Sequence, residues 1–129
     1  MHSIPVKVAW VPLARTTFDI PLARGVAAQA RSQLEQAGFL VVGPEGLVSN
    51  LEEAERVALE LANESPDLLI VLQATFADST MVMNLARMVD APLLLWAVPE
   101  ARSGGRLRLN SFCGVNLAAH ALARLNAAS

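Results

Sequence analysis

Residues 68–72 have the sequence LLIVL, five consecutive apolar side chains that lie between Asp67 and Gln73. Three further runs are rich in β-forming residues: VKVAWV at 6–11, FLVV at 39–42 and PLLLWAV at 92–98. All but the first of the four are continuously apolar and do not alternate with polar residues. Continuous apolar runs are typical of strands in a parallel sheet that is covered on both faces.

Helix-forming segments separate these runs. Apolar residues recur at steps of three and four in the intervals between them, and an alanine- and leucine-rich segment follows the last run; the segments are 20–37, 51–61, 81–89 and 110–126. Asn50 and Glu53 have the spacing of a capping box, and either Asp78 or Ser79 is suited to cap the third helix. We therefore predict four helices that alternate with the four strands.

The order of elements is β-α-β-α-β-α-β-α, with strand starts separated by 33, 29 and 24 residues. These separations suit βαβ units of ~30 residues with right-handed crossovers. We predict one α/β domain over residues 1–129: a three-layer, open parallel sheet of about four strands with helices on both faces. The preferred strand order is flavodoxin-like, 2-1-3-4. Residues 102–109 (RSGGRLRL) form a predicted loop or a small hairpin.

Composition excludes several classes of protein. The 129 residues are 53% hydrophobic and 17% charged, with a net charge of −2, which excludes a disordered chain. The arginines form no basic stripe, so we expect no nucleic-acid partner. The apolar runs fall short of the ~20 residues of a membrane span, and no signal peptide is recognisable, so we expect no membrane partner. The single Cys113 suits a reducing compartment, and we expect a cytoplasmic location.

Ligands of open α/β sheets bind beyond the carboxyl ends of the strands, so the loops there form the candidate site. The loop at 12–19 has no glycine, which excludes a Gly-x-Gly-x-x-Gly dinucleotide site and a P-loop. The third strand ends in Gln73, where a phosphate-accepting receiver domain needs an aspartate. Thr16 and Thr17 give only weak support to a flavin phosphate site.

Metal ligands and nucleophiles are sparse. The only histidines are His2 and His120, and His120 follows Cys113 by seven residues. Seven residues of helix span roughly 10 Å, which is too far for a direct Cys–His hydrogen bond. The spacing is also wider than that of the Cys and His ligands in zinc sites. We predict no metal ligand and no catalytic residue in this chain.

Polar residues at the strand ends are the candidate contacts to a ligand. Arg15 can bind an anionic group or donate to sugar hydroxyls, or it can be an ordinary surface arginine. Thr16 and Thr17 can contact a ligand or cap the first helix together with Asp19, with capping favoured for one of them. Gln73 closes the most apolar strand, where its amide needs partners, which favours an inward contact.

Two aromatic and two acidic side chains complete the set. Phe76 and Trp96 can stack on the apolar face of a sugar, although a place in the core is favoured for Trp96. Glu100 and Asp78 lie in neighbouring loops, and their spacing does not establish an acid–base pair.

Three segments together resemble the N-terminal domain of the L-fucose/L-arabinose isomerase family. They are VAWVPLARTTFDIPLA at 8–23, LLIVLQATFADSTMVMNLARMVDAPLLLWAVPE at 68–100 and GGRLRLNSFCGVNLAAHAL at 104–122. The last segment is similar to fucose isomerase-like proteins in particular. Where arabinose isomerases have the sequence His-Thr-Phe-Ser after a parallel strand, this chain has alanine at position 74 and again at position 77.

The resemblance implies part of an enzyme that interconverts an aldose and a ketose. Family enzymes are longer and hold a divalent metal such as Mn²⁺ through Glu, Asp and His in later domains. Their N-terminal domain contributes to the oligomer and lends contacts to the substrate, here a sugar that this chain alone would bind weakly. By position, the implied substrate-binding residues are Arg15, Thr16, Gln73, Thr75, Phe76, Trp96 and Glu100.

The leading hypothesis is a substrate-recognition and oligomerisation domain that is not catalytic by itself. The high apolar content agrees with packing on sister domains or on copies of itself. The alternative is an independent flavodoxin-like domain that binds a small ligand or acts as a scaffold. A small enzyme that uses Glu100 or Asp78 as a base has the least support.

Overall fold

The computed structural model describes residues 4–100, 105 and 107–128. Its elements are β1 (Lys7–Leu13), α1 (Ile20–Gln36), β2 (Leu40–Val42), α2 (Leu51–Ala62), β3 (Leu68–Gln73), α3 (Ser79–Met88), β4 (Leu93–Ala97) and α4 (Ser111–Ala128). All strand pairs are parallel, and the order across the sheet is β2-β1-β3-β4. The predicted α/β class and strand order are confirmed. His2 and the residues 102–104 and 106 of the predicted loop lie outside the described residues.

The helices divide unequally between the two faces of the sheet. One face packs against α1, through Ala23, Ala27 and Ala30. The opposite face carries α2, α3 and α4, which contribute Ala54, Val57, Ala58, Leu61, Met81, Val82, Leu85 and Ala118 to its core. Alternate residues of β1 and β3 point to opposite faces, so both faces of these central strands are buried. This burial explains why their sequences are continuously apolar.

β1 runs through the middle of the sheet and yet contains Pro12, which has no N–H to donate. β2 ends opposite Ala9, so Pro12 lies beyond the last residue of that neighbour. The Pro12 carbonyl accepts a hydrogen bond from the Val48 N–H at 2.8 Å. Proline is tolerated here because the missing N–H falls where β2 no longer runs alongside.

Side-chain caps set the starts of three helices. Asp19 caps α1 by accepting from the Leu22 N–H at 3.0 Å, so the prediction that a neighbouring threonine takes part in this cap is wrong. Its carboxylate lies one residue before the helix, the position from which an acceptor reaches the first free N–H groups. Asn50 and Glu53 form the predicted reciprocal pair at α2, and Asp78 caps α3.

Gly43 ends β2 in a tight approach to the neighbouring strand. Its φ is +138°, and a Cβ added there would lie 2.2 Å from the carbonyl oxygen of Trp10. Only glycine combines this backbone conformation with this contact. Within the described part of the chain, no helix is both long and apolar enough to cross a membrane.

Candidate functional site

The carboxyl ends of β1 and β3 lie side by side, with Leu13 opposite Gln73 in the register. The Ala74 N–H donates to the Leu13 carbonyl at 2.9 Å, which keeps the two chains paired as they leave the sheet. The loops that follow β1 and β3 therefore emerge together. The segment that precedes α4 joins them, so three loops form one surface at this edge.

Thr75 connects these loops through its hydroxyl group. Its Oγ1 accepts from the Arg15 N–H at 2.7 Å and donates to the Phe76 carbonyl at 2.7 Å. The Phe76 N–H in turn donates to the carbonyl of Leu109, also at 2.7 Å. Thr75 is fully buried, so its hydroxyl shapes the loop and presents no surface to a ligand in this conformation.

Arg15 and Phe76 are brought together at the exposed side of this surface. The Arg15 Cζ atom lies 5.9 Å from the centroid of the Phe76 ring, within the range of a cation–π contact. Phe18 supports the ring from the β1 loop, with the two ring centroids 6.4 Å apart. Arg15 is exposed, and the ion pairs found among residues 4–100, 105 and 107–128 do not involve it. Its guanidinium is therefore available to bind an anion.

A cleft of about 230 Å³ lies beside Arg15, between the first turns of α2 and α3. Partial positive charge at helix N-termini favours anions, but Asp78 also lines this cleft and opposes them. Thr16 lies in the exposed turn after Arg15. Of the predicted contacts, Arg15, Thr16 and Phe76 thus share one accessible surface.

Gln73 is fully buried, and its carboxamide faces α4. Its Oε1 lies 2.9 Å from the place where a Cβ on Gly114 would be. Neither Nε2 nor Oε1 has a hydrogen-bond partner among the described protein atoms. The sequence argument expected partners for this amide, but the residue of α4 that lies against it is Gly114, which has no side chain to bond it.

Trp96 and Glu100 have other partners than Arg15 and Phe76. The Trp96 ring meets Trp10 edge to face, with centroids 6.0 Å apart and an angle of 75° between the planes. It packs, partly buried, against the core of the α1 face, as a core role requires. The Glu100 carboxylate accepts hydrogen bonds from the N–H groups of three consecutive residues: Arg108, Leu109 and Asn110. This side chain orders the approach to α4, an arrangement that does not favour a free general base.

Three functional contacts in this region were missed by sequence reasoning. The Ser111 hydroxyl accepts from the Val98 N–H at 3.0 Å and donates to the Gln73 carbonyl, which ties α4 to the ends of β3 and β4. Arg108 binds the Asp19 carboxylate, with Nε 2.9 Å from Oδ2. The only sequence feature that could have pointed to Ser111 was its position before a helix-forming segment. No sequence feature pointed to the pair of Arg108 and Asp19, because 89 residues separate them.

The Asp19 carboxylate should titrate below its ordinary range. The hydrogen bond from the Leu22 N–H is the largest cause of its lowered pKa, followed by the hydrogen bond from Arg108. A lowered pKa means that this carboxylate stabilises the fold above pH 3.8 and loses that contribution as the pH falls through its folded-state pKa. NMR titration of the carboxyl carbon measures it. In Arg108→Gln the pKa should rise but stay below 3.8, because the Leu22 bond persists; a wild-type value at or above 3.8 would contradict the assignment.

The side chains present do not fit a divalent metal. The described residues contain no group of three or more His, Cys, Asp or Glu placed to hold one ion. Asp78 and Glu100 accept backbone hydrogen bonds, and Cys113 and His120 are exposed on α4. Structural metal sites need several converging ligands, so the Mn²⁺ that the resemblance implies has no site among these residues.

Comparison with known families gives the same answer as the three resembling segments. A family model described as the fucose/sulfoquinovose isomerase N-terminal domain matches residues 9–129, which include every loop described above. This chain belongs to that family. The match supports the fucose isomerase-like part of the expected resemblance; the arabinose isomerase part stays a prediction.

Curated relatives carry one activity name. The chain is 31% identical over 115 residues to a sulfoquinovose isomerase of Priestia megaterium, and 32% identical over 120 residues to one of Clostridium sp. (strain MSTE9). These alignments cover 89% and 92% of this chain but 26% of each relative. The chain thus spans about a quarter of the length of the curated relatives that it matches.

Proposed function

We propose that this chain is the substrate-recognition domain of an aldose–ketose isomerase whose sugar carries an anionic group. Arg15 binds that group, and the Phe76 ring lies against an apolar face of the sugar. The observation that supports the proposal is the exposed Arg15 guanidinium above Phe76, without an ion pair among the described residues. The relatives named sulfoquinovose isomerase point to a sulfonate as the anion.

The chemistry of the two side chains suits this role. A guanidinium donates two parallel N–H bonds to a tetrahedral or planar anion and is always charged at physiological pH. An aromatic ring supplies apolar area against the C–H face of a sugar. Binding at one open surface, through hydrogen bonds of about 0.5–1.5 kcal/mol each, gives millimolar or weaker affinity. Tighter binding requires further polypeptide to close over the sugar.

Catalysis lies outside the proposed role of this chain. The two loop carboxylates, Asp78 and Glu100, are engaged by backbone N–H groups and line different clefts. Proton transfer between neighbouring sugar carbons needs such a pair, or a metal, beside the substrate. We therefore expect no isomerase turnover by the 129-residue chain with added Mn²⁺. Measured turnover would contradict this part of the proposal.

Arg15→Gln should weaken the binding of sulfoquinovose about tenfold or more, because a neutral amide cannot replace a charge-assisted pair with the sulfonate. Ligand-detected NMR with sulfoquinovose and with neutral L-fucose measures the effect. Fucose binding should change much less. Arg87→Gln is the matched control, since Arg87 is an exposed arginine in the last turn of α3, at the other end of the sheet.

Three outcomes of the same experiment would argue against the proposal. Equal binding of sulfoquinovose by the wild-type chain and Arg15→Gln would show that the Arg15 guanidinium does not bind the anion. Tighter binding of L-fucose than of sulfoquinovose would show that the site does not select a sugar with an anionic group. Binding of a flavin or nucleotide at this edge, without any sugar, would favour the alternative of an independent ligand-binding domain.

A further inference from the structure

A further cleft lies where the loop before α1 meets the segment before α4. It has a volume of about 460 Å³, within the range of ~300–1,000 Å³ that is usual for small-ligand sites. It shares no lining residue with the cleft beside Arg15. Its lining residues are Thr17, Phe18, Asp19, Leu107, Arg108 and Asn110.

Hydrogen bonds hold the two walls of this cleft together. The Asp19 N–H donates to the Arg108 carbonyl at 3.2 Å, and the Arg108 Nε lies 2.9 Å from the Asp19 Oδ2. The Glu100 carboxylate accepts from the N–H groups of Arg108 and Asn110, each at 2.7 Å. The walls are thus fixed by contacts within the chain, which lowers the entropy that a ligand must cost on binding.

Hydrogen-bonding capacity is left over on the lining side chains. Arg108 directs two of its five N–H donors at Asp19, and the other three have no partner among residues 4–100, 105 and 107–128. The same holds in these ranges for the Thr17 hydroxyl and the Asn110 carboxamide. The Asp19 Oδ1 accepts one bond, from Leu22, and has capacity for a second.

Asn110 has an unusual backbone at the edge of this cleft. Its φ is +54°, in the left-handed region that side chains other than those of Gly, Asn and Asp rarely adopt. Strained backbones persist where surrounding contacts fix them, and they cluster at ligand sites. Here the bond from the Asn110 N–H to Glu100 fixes the residue that brings a carboxamide to the cleft.

The charges that line the cleft cancel. An anion would have to compete with Asp19 for the Arg108 guanidinium, and a cation would have to compete with Arg108 for the carboxylate. A hydroxyl group both donates and accepts, so neighbouring hydroxyls can bond to a carboxylate and a guanidinium that lie side by side. The Phe18 ring adds apolar area for C–H groups.

We propose that this cleft is a second binding site, for a neutral sugar or polyol with neighbouring hydroxyl groups. Arg108 donates to the hydroxyls, Asp19 accepts from them, and the Asn110 carboxamide does both. The site is independent of anion binding at Arg15. Neutral hydrogen bonds at an open cleft give an affinity in the ~millimolar range.

Titration of the 129-residue chain with L-fucose, followed by ¹H–¹⁵N NMR, tests the site. The backbone amides of Phe18 and Arg108 and the side-chain amide of Asn110 should shift and saturate. Methanesulfonate, an anion without hydroxyl groups, should leave these three signals unchanged. Its effect on Arg15 reports on the proposed anion site alone, so the two proposals can fail separately.

Two substitutions remove one hydrogen-bonding group each. Asn110→Gly removes the carboxamide and keeps the left-handed backbone, so the Kd for L-fucose should rise about fivefold or more. Thr17→Val removes the hydroxyl at nearly constant shape and should raise this Kd about two- to threefold. Asn116→Ala is the matched control, since Asn116 is an exposed asparagine of α4 that does not line the cleft. It should leave the Kd unchanged.

Three results would overturn the proposal. One is the absence of saturable shifts at Phe18, Arg108 and Asn110 with L-fucose up to about 100 mM, far above a millimolar Kd. Another is a set of saturable shifts confined to Arg15 and Phe76, which would assign the neutral sugar to the other site. The third is an equal Kd for the wild-type chain and both variants. If Asn110→Gly does not fold, Thr17→Val decides, because Thr17 is exposed.

Discussion

Gly43→Ala is expected to lower the free energy of unfolding by about 3–5 kcal/mol. The new Cβ would lie 2.2 Å from the Trp10 carbonyl oxygen, so β1 and the turn must separate. The φ of +138° adds backbone strain for any residue with a side chain. Urea denaturation followed by circular dichroism measures the loss, or low yield of folded protein shows it directly.

Gly25→Ala is the matched control, with the opposite sign. Gly25 lies inside α1, and nothing lies within 4 Å of an added Cβ. Alanine there should raise the free energy of unfolding by roughly 0.5–1 kcal/mol, because glycine costs conformational entropy in a helix. If Gly43→Ala were as stable as Gly25→Ala, the close approach of Gly43 to β1 would be wrong.

Ser111→Ala should lower the free energy of unfolding by about 2–4 kcal/mol. The change leaves two buried main-chain groups without partners, the Val98 N–H and the Gln73 carbonyl, and each costs about 1–3 kcal/mol. Ser111 is 1% exposed, so water does not readily replace the hydroxyl. Denaturation measures the loss, and faster amide exchange at Val98 shows its location.

Ser79→Ala separates this effect from a general loss of a serine at the start of a helix. Ser79 begins α3 as Ser111 begins α4, but the cap of α3 is Asp78. We expect a change of less than about 0.5 kcal/mol at Ser79, as for most substitutions away from buried contacts. Equal effects at both serines would show that Ser111 acts on its own helix alone.

The accessible part of the candidate site followed from the sequence, but the buried part did not. Arg15 and Phe76 were placed at the carboxyl edge because both come directly after strands of a parallel sheet. Gln73 ends β3 and Thr75 follows it, and both were predicted as contacts for the same reason. Their burial depends on α4, whose first residue, Ser111, lies 38 residues after Gln73, and on the segment before it.

The order of strands and helices along the chain, and the periodicity of the apolar residues within them, determined the sheet and the helix layers on its two faces. Runs such as LLIVL predict buried parallel strands, and caps such as Asn50 act over three residues, within the reach of local sequence. These features depend on residues that are close in the chain, so the sequence alone predicts them.

Tertiary structure alone decided which side chains meet. It paired Arg108 with Asp19 across 89 residues, joined Ser111 to two strand ends and left Arg15 exposed above Phe76. It also placed three helices on one face of the sheet and one on the other. Such contacts form only when distant segments pack. The local sequence around each side chain therefore does not predict its partner.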